Sequence, residues 1–512
     1  MLVAWELCQC FWRAGVSKKT LQFLPCPGGG AGEKLVLHAG VDAVILTGGT
    51  DTALRLLAKN PALKLCAETG GKNAAIVTAL SDREQAIRNV LHSAFSHSGQ
   101  KCSATSLLLL EAEIYDDSDF RDALRDAVES LRVGSAWELA TRIGPLIRPP
   151  SGELAWALTT LDPGEEWLVQ PQCVGGNPHL WSPGVKCAVQ PGSRSHLTEF
   201  FGPVLSVMRF TALDEAINLV NATGYGLTSG IESLDDREIE RWRAHVRAGN
   251  LYINRPTTGA IVLRQPFGGM GKSSIGPGMK AGGPNYLAQF MDFEEVLVET
   301  PGRDIQHPRL EHLRMHIRGR APEEPDMGRL ITAIESYDHA RLEEFSREHD
   351  DFHLIGEDNI RSYPALREVR IRIHPHDKFF DIFARTCAAK AAGCRITVSS
   401  PPDLELASVL LLEDITESWA GAIEFIEETD ERLADVIRRR RTRRIRYAAP
   451  DRVPEIVREA AAESGFFIAD APVLVQGRIE LLWYVREQSV SHSYHRYGNL
   501  GGRAREPRAE PM

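Results

Sequence analysis

Apolar residues recur at two periods along the chain, and the switches between them mark its elements. Between Asp82 and His97, the residues Ala86, Val90, Leu91 and Ala94 share one stripe with charges opposite, the repeat of a helix with one buried face. Short apolar runs bounded by glycine or charge read instead as strands: Asp42 to Thr47, Leu63 to Ala67, Ser106 to Glu111, Leu227 to Ile231 and Asn250 to Asn254. Helices are predicted at residues 2 to 14, Gly32 to His38, Asp51 to Lys59, Leu213 to Val220 and Glu238 to Val246, with a further strand at Thr20 to Leu24. Another helix runs to Leu131 from Ser118, a residue suited to capping its first N–H groups. Alternating strands and helices predict a parallel sheet. Residues 134 to 203 read as loop-like.

Past a Pro- and charge-rich stretch that reads as a linker, the alternation resumes. Val369 to Ile373, Lys378 to Ala392 and Arg395 to Val398 form strand, helix, strand, and Arg444 to Tyr447, Val453 to Glu463 and Phe466 to Ile468 repeat it. Val473 to Gln476 and Ile479 to Arg486 are expected to form a hairpin around Gly477-Arg478, with Arg503 to Met512 a frayed tail.

A chain of 512 residues exceeds one compact core and implies about two to four domains. A formal charge of −10 argues against general binding of nucleic acid, which needs clustered positive charge, and favours a small-molecule substrate. Nine cysteines without a CxxC pair suggest reduced thiols in a cytoplasmic protein. The opening Met1 to Gly15 is apolar, but Glu6 interrupts it and no basic segment precedes it, so an amphipathic helix is expected rather than a signal peptide. No apolar run reaches the length of a membrane span.

Chemistry concentrates between Glu68 and Ala104. Cys102 follows a glycine-broken helix and precedes small residues, leaving room for a carbonyl, and the adjacent Lys101 is expected to favour the thiolate. Glu68, beside Gly70-Gly71, is placed to activate water. A nucleophile and a base in one segment suggest covalent catalysis. The Thr47-Gly48-Gly49 turn between strand and helix is either a plain turn or a nucleotide-binding turn. Cys26 to Gly32, CPGGGAG, does not match GxGxxG and reads as a flexible helix entry.

ETGGKN followed by FSHSGQKCSA, with Glu68 and Cys102 34 residues apart, resembles the active-site motifs of the aldehyde dehydrogenase superfamily. Thr47-Gly48-Gly49-Thr50, Glu199 to Val204, Asn221, Tyr225-Gly226-Leu227, Gly230, Asn254 and Pro266 to Gly269 are similar, in order, to the family's other landmarks, and together they cover residues 1 to about 295. AETGGKNAAIV, NRPTTGAIVLRQPFGG and KAGGPNYLAQF narrow the resemblance to L-glutamate γ-semialdehyde (1-pyrroline-5-carboxylate) dehydrogenases, as in bifunctional proline-utilisation enzymes. The resemblance implies Cys102 as nucleophile and Glu68 as base, with NAD bound through Thr47, Gly48, Gly49, Glu199 and Phe201. It also implies that Ser103, Gly282 and Gly283 hold the substrate carboxylate, that Phe290 walls the site, and that no metal takes part. Expected partners are a homo-oligomer and a proline dehydrogenase domain or chain. The family's second oxyanion donor, an asparagine, and its ribose-binding lysine precede the matched segment, so Met1 is expected to mark a truncation with weak activity.

The implied fold is α/β: a partial aldehyde dehydrogenase fold, with an incomplete Rossmann-like cofactor domain and an α/β catalytic domain, followed by a smaller α/β Rossmann-like domain. The expected divisions are a cofactor-domain remnant (1–70), catalytic domain (71–262), substrate-anchor loop (263–299), linker (300–325), non-catalytic domain (326–485) and tail (486–512). That last domain resembles the extra, non-catalytic aldehyde-dehydrogenase-like domain of long proline-utilisation enzymes. Seven arginines between Arg438 and Arg446 read as a solvated helix end paired with Glu424, Glu427, Glu428, Glu431 and Asp435 rather than a nucleic-acid patch. The cluster His492, Tyr494, His495 and Tyr497 matches no common zinc spacing and reads as packing or interface use. The rival reading of the whole chain is a non-catalytic assembly protein.

Overall fold

The computed structural model describes residues 1–295, 302 and 304–506. In chain order the strands are β1 (Val44–Thr47), β2 (Leu65–Glu68), β3 (Asn73–Val77), β4 (Thr105–Glu111), β5 (Glu166–Val169), β6 (Gly184–Cys187), β7 (Val204–Phe210), β8 (Thr228–Glu232), β9 (Asn250–Ile253), β10 (Ser274–Ile275), β11 (Glu357–Ser362), β12 (Glu368–Arg372), β13 (Arg395–Ser400), β14 (Ile423–Glu427), β15 (Ile445–Arg446), β16 (Ile468–Ala469) and β17 (Gln488–Ser493). They build three sheets, ordered β1-β2-β10, β11-β17-β9-β8-β3-β4-β7-β6-β5 and β14-β13-β12-β15-β16.

The nine-stranded sheet is parallel except at its β5–β6 and β11–β17 pairs. Its strands β3 and β4 carry continuous apolar runs because both faces are covered. Ala75, Val77, Leu108 and Leu110 pack into one hydrophobic cluster, while Ala74, Ile76, Leu107 and Leu109 pack into another. The helix Arg83–Phe95 closes one face, capped by the Asp82 carboxylate, which accepts from Gln85 N at 3.2 Å. The five-stranded sheet is wholly parallel, as its strand-helix alternation predicts.

Several sequence expectations change. The stretch read as linker carries the helix Pro308–Arg320, whose Leu310, Leu313 and Ile317 are fully buried. Pro308 sits in its first turn, where a missing N–H costs little, and abundant arginine and histidine mask the three-residue stripe. Residues 300, 301 and 303 of that stretch lie outside the described residues. The expected hairpin is instead the helix Gly477–Glu480 and a tight turn at Leu481–Trp483. Gly477 serves packing: a Cβ there would lie 2.4 Å from the Ser336 carbonyl. Thr20 to Leu24 forms no strand, and residues 134 to 203 contain β5, β6 and the helix Gly152–Thr159. Arg444 and Arg446 are core residues, and Arg446 pairs with Glu480 at 2.9 Å with both side chains fully buried, whereas Arg438 and Arg439 pair at the surface with Glu463 and Asp435. Residues 507–512 of the expected tail lie outside the described residues.

The largest change concerns residues 486 onward. Strand β17 pairs in parallel with β9, Val490 opposite Leu251, and antiparallel with β11, Val490 opposite Ile360. It therefore joins the C-terminal half of the chain to the main sheet and removes the β9 edge. Among the described residues no helix is long and apolar enough to cross a membrane.

Val490 is 2% exposed within the cluster that contains Leu251 and Ile253. Replacing it by aspartate buries an unpaired carboxylate, and urea unfolding of V490D should lose about 3 kcal/mol or more. An unchanged midpoint would show that β17 carries no weight in the sheet.

Candidate active site

The candidate site lies where β2, β3 and the loop before β4 meet. Asn73, first residue of β3, ties these together through one amide. Its Nδ2 donates to the carbonyls of Cys102 (2.6 Å) and Ala104 (2.9 Å), and its Oδ1 accepts from Thr228 N at 3.1 Å. The loop ahead of Cys102 runs through left-handed backbone at His97, Ser98 and Gly99, with φ of 55°, 56° and 68°. Gly99 is obligatory, since a Cβ there would stand 2.3 Å from the Gly202 carbonyl. Gln100 Nε2 donates to Phe201 O at 3.3 Å, so the cysteine loop and the Glu199 to Val204 segment are fastened together.

Glu199 fits against Gly70-Gly71. The Gly71 N–H donates to its Oε1 at 2.9 Å, and a Cβ on Gly70 would overlap its Oε2 at 1.8 Å. Burial pushes the Glu199 carboxyl up, opposed by the Gly71 N–H and by Lys72. Lys72 is itself driven down to about 7 by burial; its ammonium lies 4.6 Å from the Phe200 ring centroid and has no hydrogen-bond partner among the described residues.

Glu68 ends β2. Its Oε2 accepts from Gly269 N at 2.8 Å and its Oε1 from Ser274 Oγ at 3.2 Å. Burial raises this carboxyl, with Lys280 and the two donors opposing. A carboxylate so raised suits proton abstraction near neutrality. The Cys102 thiol is also raised, first by burial and then by the charges of Glu199 and Glu68, while the N–H groups of Ser103 and Cys102 offset part of this. Three groups from separate segments thus share one electrostatic environment. The expectation that Lys101 favours the thiolate is corrected: burial and two carboxylates govern this thiol.

The Thr47-Gly48-Gly49 turn is exposed beyond β1, and Gly48 N donates to the Glu68 carbonyl at 3.2 Å. Gly49 caps the helix Thr50–Lys59 without a side-chain bond, leaving N–H groups for a phosphate. Asp51 lies in the first turn of that helix. Phe201 is 41% exposed and adopts left-handed backbone, φ 54°.

Ser103 is buried beside Cys102, and its carbonyl accepts from Thr257 Oγ1 at 3.2 Å. Gly282 requires glycine, with φ 73°, and its carbonyl accepts from Leu263 N at 2.8 Å. The Gly283 N–H is engaged, donating to the Lys280 carbonyl at 3.0 Å. Phe290 packs edge-on to Tyr286 at 5.6 Å. Mutual bonds between Phe267 and Ala281, 2.9 and 3.1 Å, bring this loop beside the Gly268-Gly269 segment that holds Glu68. Sequence reading gave no role to Asn73 or Lys280, because their partners lie far away along the chain. Among the described residues no group of three or more His, Cys, Asp or Glu is arranged to hold a metal.

In the C-terminal sheet, the position after β12 where a Rossmann-like domain would receive pyrophosphate is filled. Asp377 pairs with Arg385, both fully buried, and Arg452 Nη1 reaches Asp377 at 2.6 Å and Asp381 at 2.8 Å. Cys387 and Cys394 are buried in the same unit, with burial pushing Cys394 up to about 12.

Residues 1–296 match the aldehyde dehydrogenase family. A 1-pyrroline-5-carboxylate dehydrogenase of Geobacillus thermodenitrificans is 32% identical over 308 residues, 58% of each protein. The bifunctional protein PutA of Escherichia coli is 36% identical over 314 residues, 58% of this chain and 24% of that protein. The chain thus spans little more than half of one such relative and about a quarter of the other. The solved structure of proline utilization A from Corynebacterium freiburgense superposes with a TM-score of 0.81 at 37% identity, over 97% of this chain and 46% of that one. A Thermus 1-pyrroline-5-carboxylate dehydrogenase with bound NAD superposes at 0.52 and 33% identity, over 56% of each chain. The Corynebacterium likeness therefore extends through the C-terminal unit.

Because the Cys102 thiol is raised, its iodoacetamide alkylation should climb with pH to a midpoint above the ordinary thiol range. Glu199→Gln removes a nearby negative charge and should lower that midpoint. Peptide mass spectrometry across pH reads both, and a midpoint below the ordinary range would contradict this account.

Proposed function

Because the chain belongs to the aldehyde dehydrogenase family, we propose that it serves the NAD-dependent oxidation of L-glutamate γ-semialdehyde to L-glutamate. The observation that carries this reading is geometric: Asn73 holds the Cys102 loop, Gln100 fastens that loop to Phe201, and Glu199 of the same segment sits against Gly70-Gly71, two residues past Glu68. The Cys102 thiol gives its proton to solvent water and its Sγ bonds to the aldehyde carbon, while the backbone N–H of Cys102 faces the oxyanion. Thr47, Gly48, Gly49, Glu199 and Phe201 would hold NAD, which would supply the acceptor for the hydride lost from the aldehyde carbon. Glu68 then takes a proton from water, the hydroxide adds to the resulting thioester, the C–S bond breaks, and the carboxylic acid leaves with the thiol restored.

Ser103, Gly282 and Gly283 are the proposed carboxylate anchors and Phe290 an apolar wall. With the Gly283 N–H turned to Lys280 in this structure, the Ser103 hydroxyl and the Gly282 N–H carry the first contacts. The proposed partners are a proline dehydrogenase domain or chain, as the PutA relatives suggest, and a second copy of this chain, in the cytoplasm. The filled crevice after β12 and the buried thiols support a structural rather than catalytic role for the C-terminal unit.

The substrate assignment is tested by protection. Glutamate γ-semialdehyde should shield Cys102 from iodoacetamide, and Ser103→Ala should raise the concentration required about tenfold, the typical weight of a hydrogen bond to a charged group. If a neutral aldehyde of equal length protects both proteins equally well, the carboxylate plays no part and the assignment falls.

A further inference from the structure

The peptide between Gly268 and Gly269 is held from both sides. Its N–H donates to Glu68 Oε2 at 2.8 Å, and its carbonyl accepts from the Lys280 ammonium, whose Nζ also reaches Asn250 Oδ1 at 3.3 Å. Asn250 Nδ2 donates to the same carbonyl at 3.1 Å and fixes it in place. A cation on one end of a peptide dipole and a carboxylate on the other polarise it in the same sense. Both charged groups crowd Gly268, where a Cβ would lie 3.0 Å from Glu68 Oε1 and 3.3 Å from Lys280 Cγ.

The contact continues into the C-terminal half of the chain. The backbone N–H of Lys280 donates to Glu487 Oε2 at 2.8 Å, and the other oxygen of Glu487 accepts from Asn285 Nδ2. Glu487 directly precedes β17 and is 3% exposed, and Lys280 is 1% exposed. Lys280 is attracted by both Glu68 and Glu487 and repelled by the half-buried Arg486, and Glu487 also feels Arg361. Arg361 is bound in turn to Glu344 and lies 3.7 Å from Asp351. On its remaining sides Glu68 faces Ser274, and its charge is felt by Cys102, Cys66 and Tyr286. The charges therefore alternate through the interior: Glu68, Lys280, Glu487, Arg361.

We propose that Lys280 and Glu487 are positioning residues for Glu68, a buried chain of alternating charge through which the C-terminal unit acts on the step that deprotonates water. This rests on Glu68 being the base. The signs follow from charge alone. Removing the Lys280 cation leaves Glu68 holding its proton more tightly, whereas removing the Glu487 anion leaves every proton of the cluster held less tightly.

The experiment needs no cofactor. In the full chain, p-nitrophenyl acetate acylates Cys102 with release of nitrophenolate, and water then hydrolyses the acetyl thioester to acetate and free thiol. Intact-mass spectrometry follows loss of the acetyl group against pH. The wild type should show an acid limb where Glu68 becomes protonated. Lys280→Met should move that limb up by about one pH unit, and Glu487→Gln, which keeps an acceptor for the Lys280 N–H, should move it down. A residue that only props up the fold would not shift the limb in opposite directions. Circular dichroism checks folding, and if Lys280→Met does not fold, the direction of Glu487→Gln alone decides. Folded variants whose limb stays in place, or both of which move it the same way, overturn the charge chain. If Glu68→Gln leaves the limb untouched, it is the assignment of the base that fails.

Discussion

The side-chain amide of Asn73 is the hinge of the site. A cysteine loop that passes through left-handed backbone at three successive residues, His97 to Gly99, has no regular ladder to hold it. Asn73 fixes it by taking the carbonyls of Cys102 and Ala104 and joining them to β8 through Thr228. Because Asn73 begins the central, fully buried strand β3, the nucleophile is referenced to the middle of the main sheet. The glycines on either side of this anchor then matter for closeness: Gly70 leaves room for the Glu199 carboxylate and Gly99 for the Gly202 carbonyl.

Burial works against the charged forms of Cys102, Glu68 and Glu199 together. The fold answers with donors rather than with an exposed cation: the Gly71 N–H for Glu199, the Gly269 N–H and Ser274 for Glu68. A site built this way holds the protons of its thiol and its base more tightly than water would, and a carboxylate so raised suits taking a proton from water near neutrality. The second half of the chain belongs to the same structure, since β17 lies between β9 and β11 and Glu487 reaches Lys280.

Much of this was legible in the sequence where the information is local. ETGGKN, SGQKCSA and the Glu199 to Val204 segment are contiguous, and the structure brings them together as their residue types imply. The strand β4, expected at Ser106 to Glu111, read correctly because a strand covered on both faces needs an unbroken apolar run. What escaped is non-local or masked. The partners of Asn73 are at 102, 104 and 228, and Glu487 meets Lys280 across 207 residues, so no window of sequence contains the pair. Strand β17, QSVSHS, contributes little apolar character of its own and is buried by its neighbours β9 and β11. Arg444 and Arg446 sat in a run that looked solvated, yet Glu480 and backbone carbonyls draw them into the core.

The central claim is that Cys102 forms the covalent bond to the aldehyde and that Glu68 acts only afterwards. Carbon NMR of the chain mixed with glutamate γ-semialdehyde labelled with ¹³C at the aldehyde carbon tests this most directly. A thiohemiacetal resonance should appear with the native chain, persist in Glu68→Gln and vanish in Cys102→Ala. A resonance that survives in Cys102→Ala, or none with the native chain, would contradict the account.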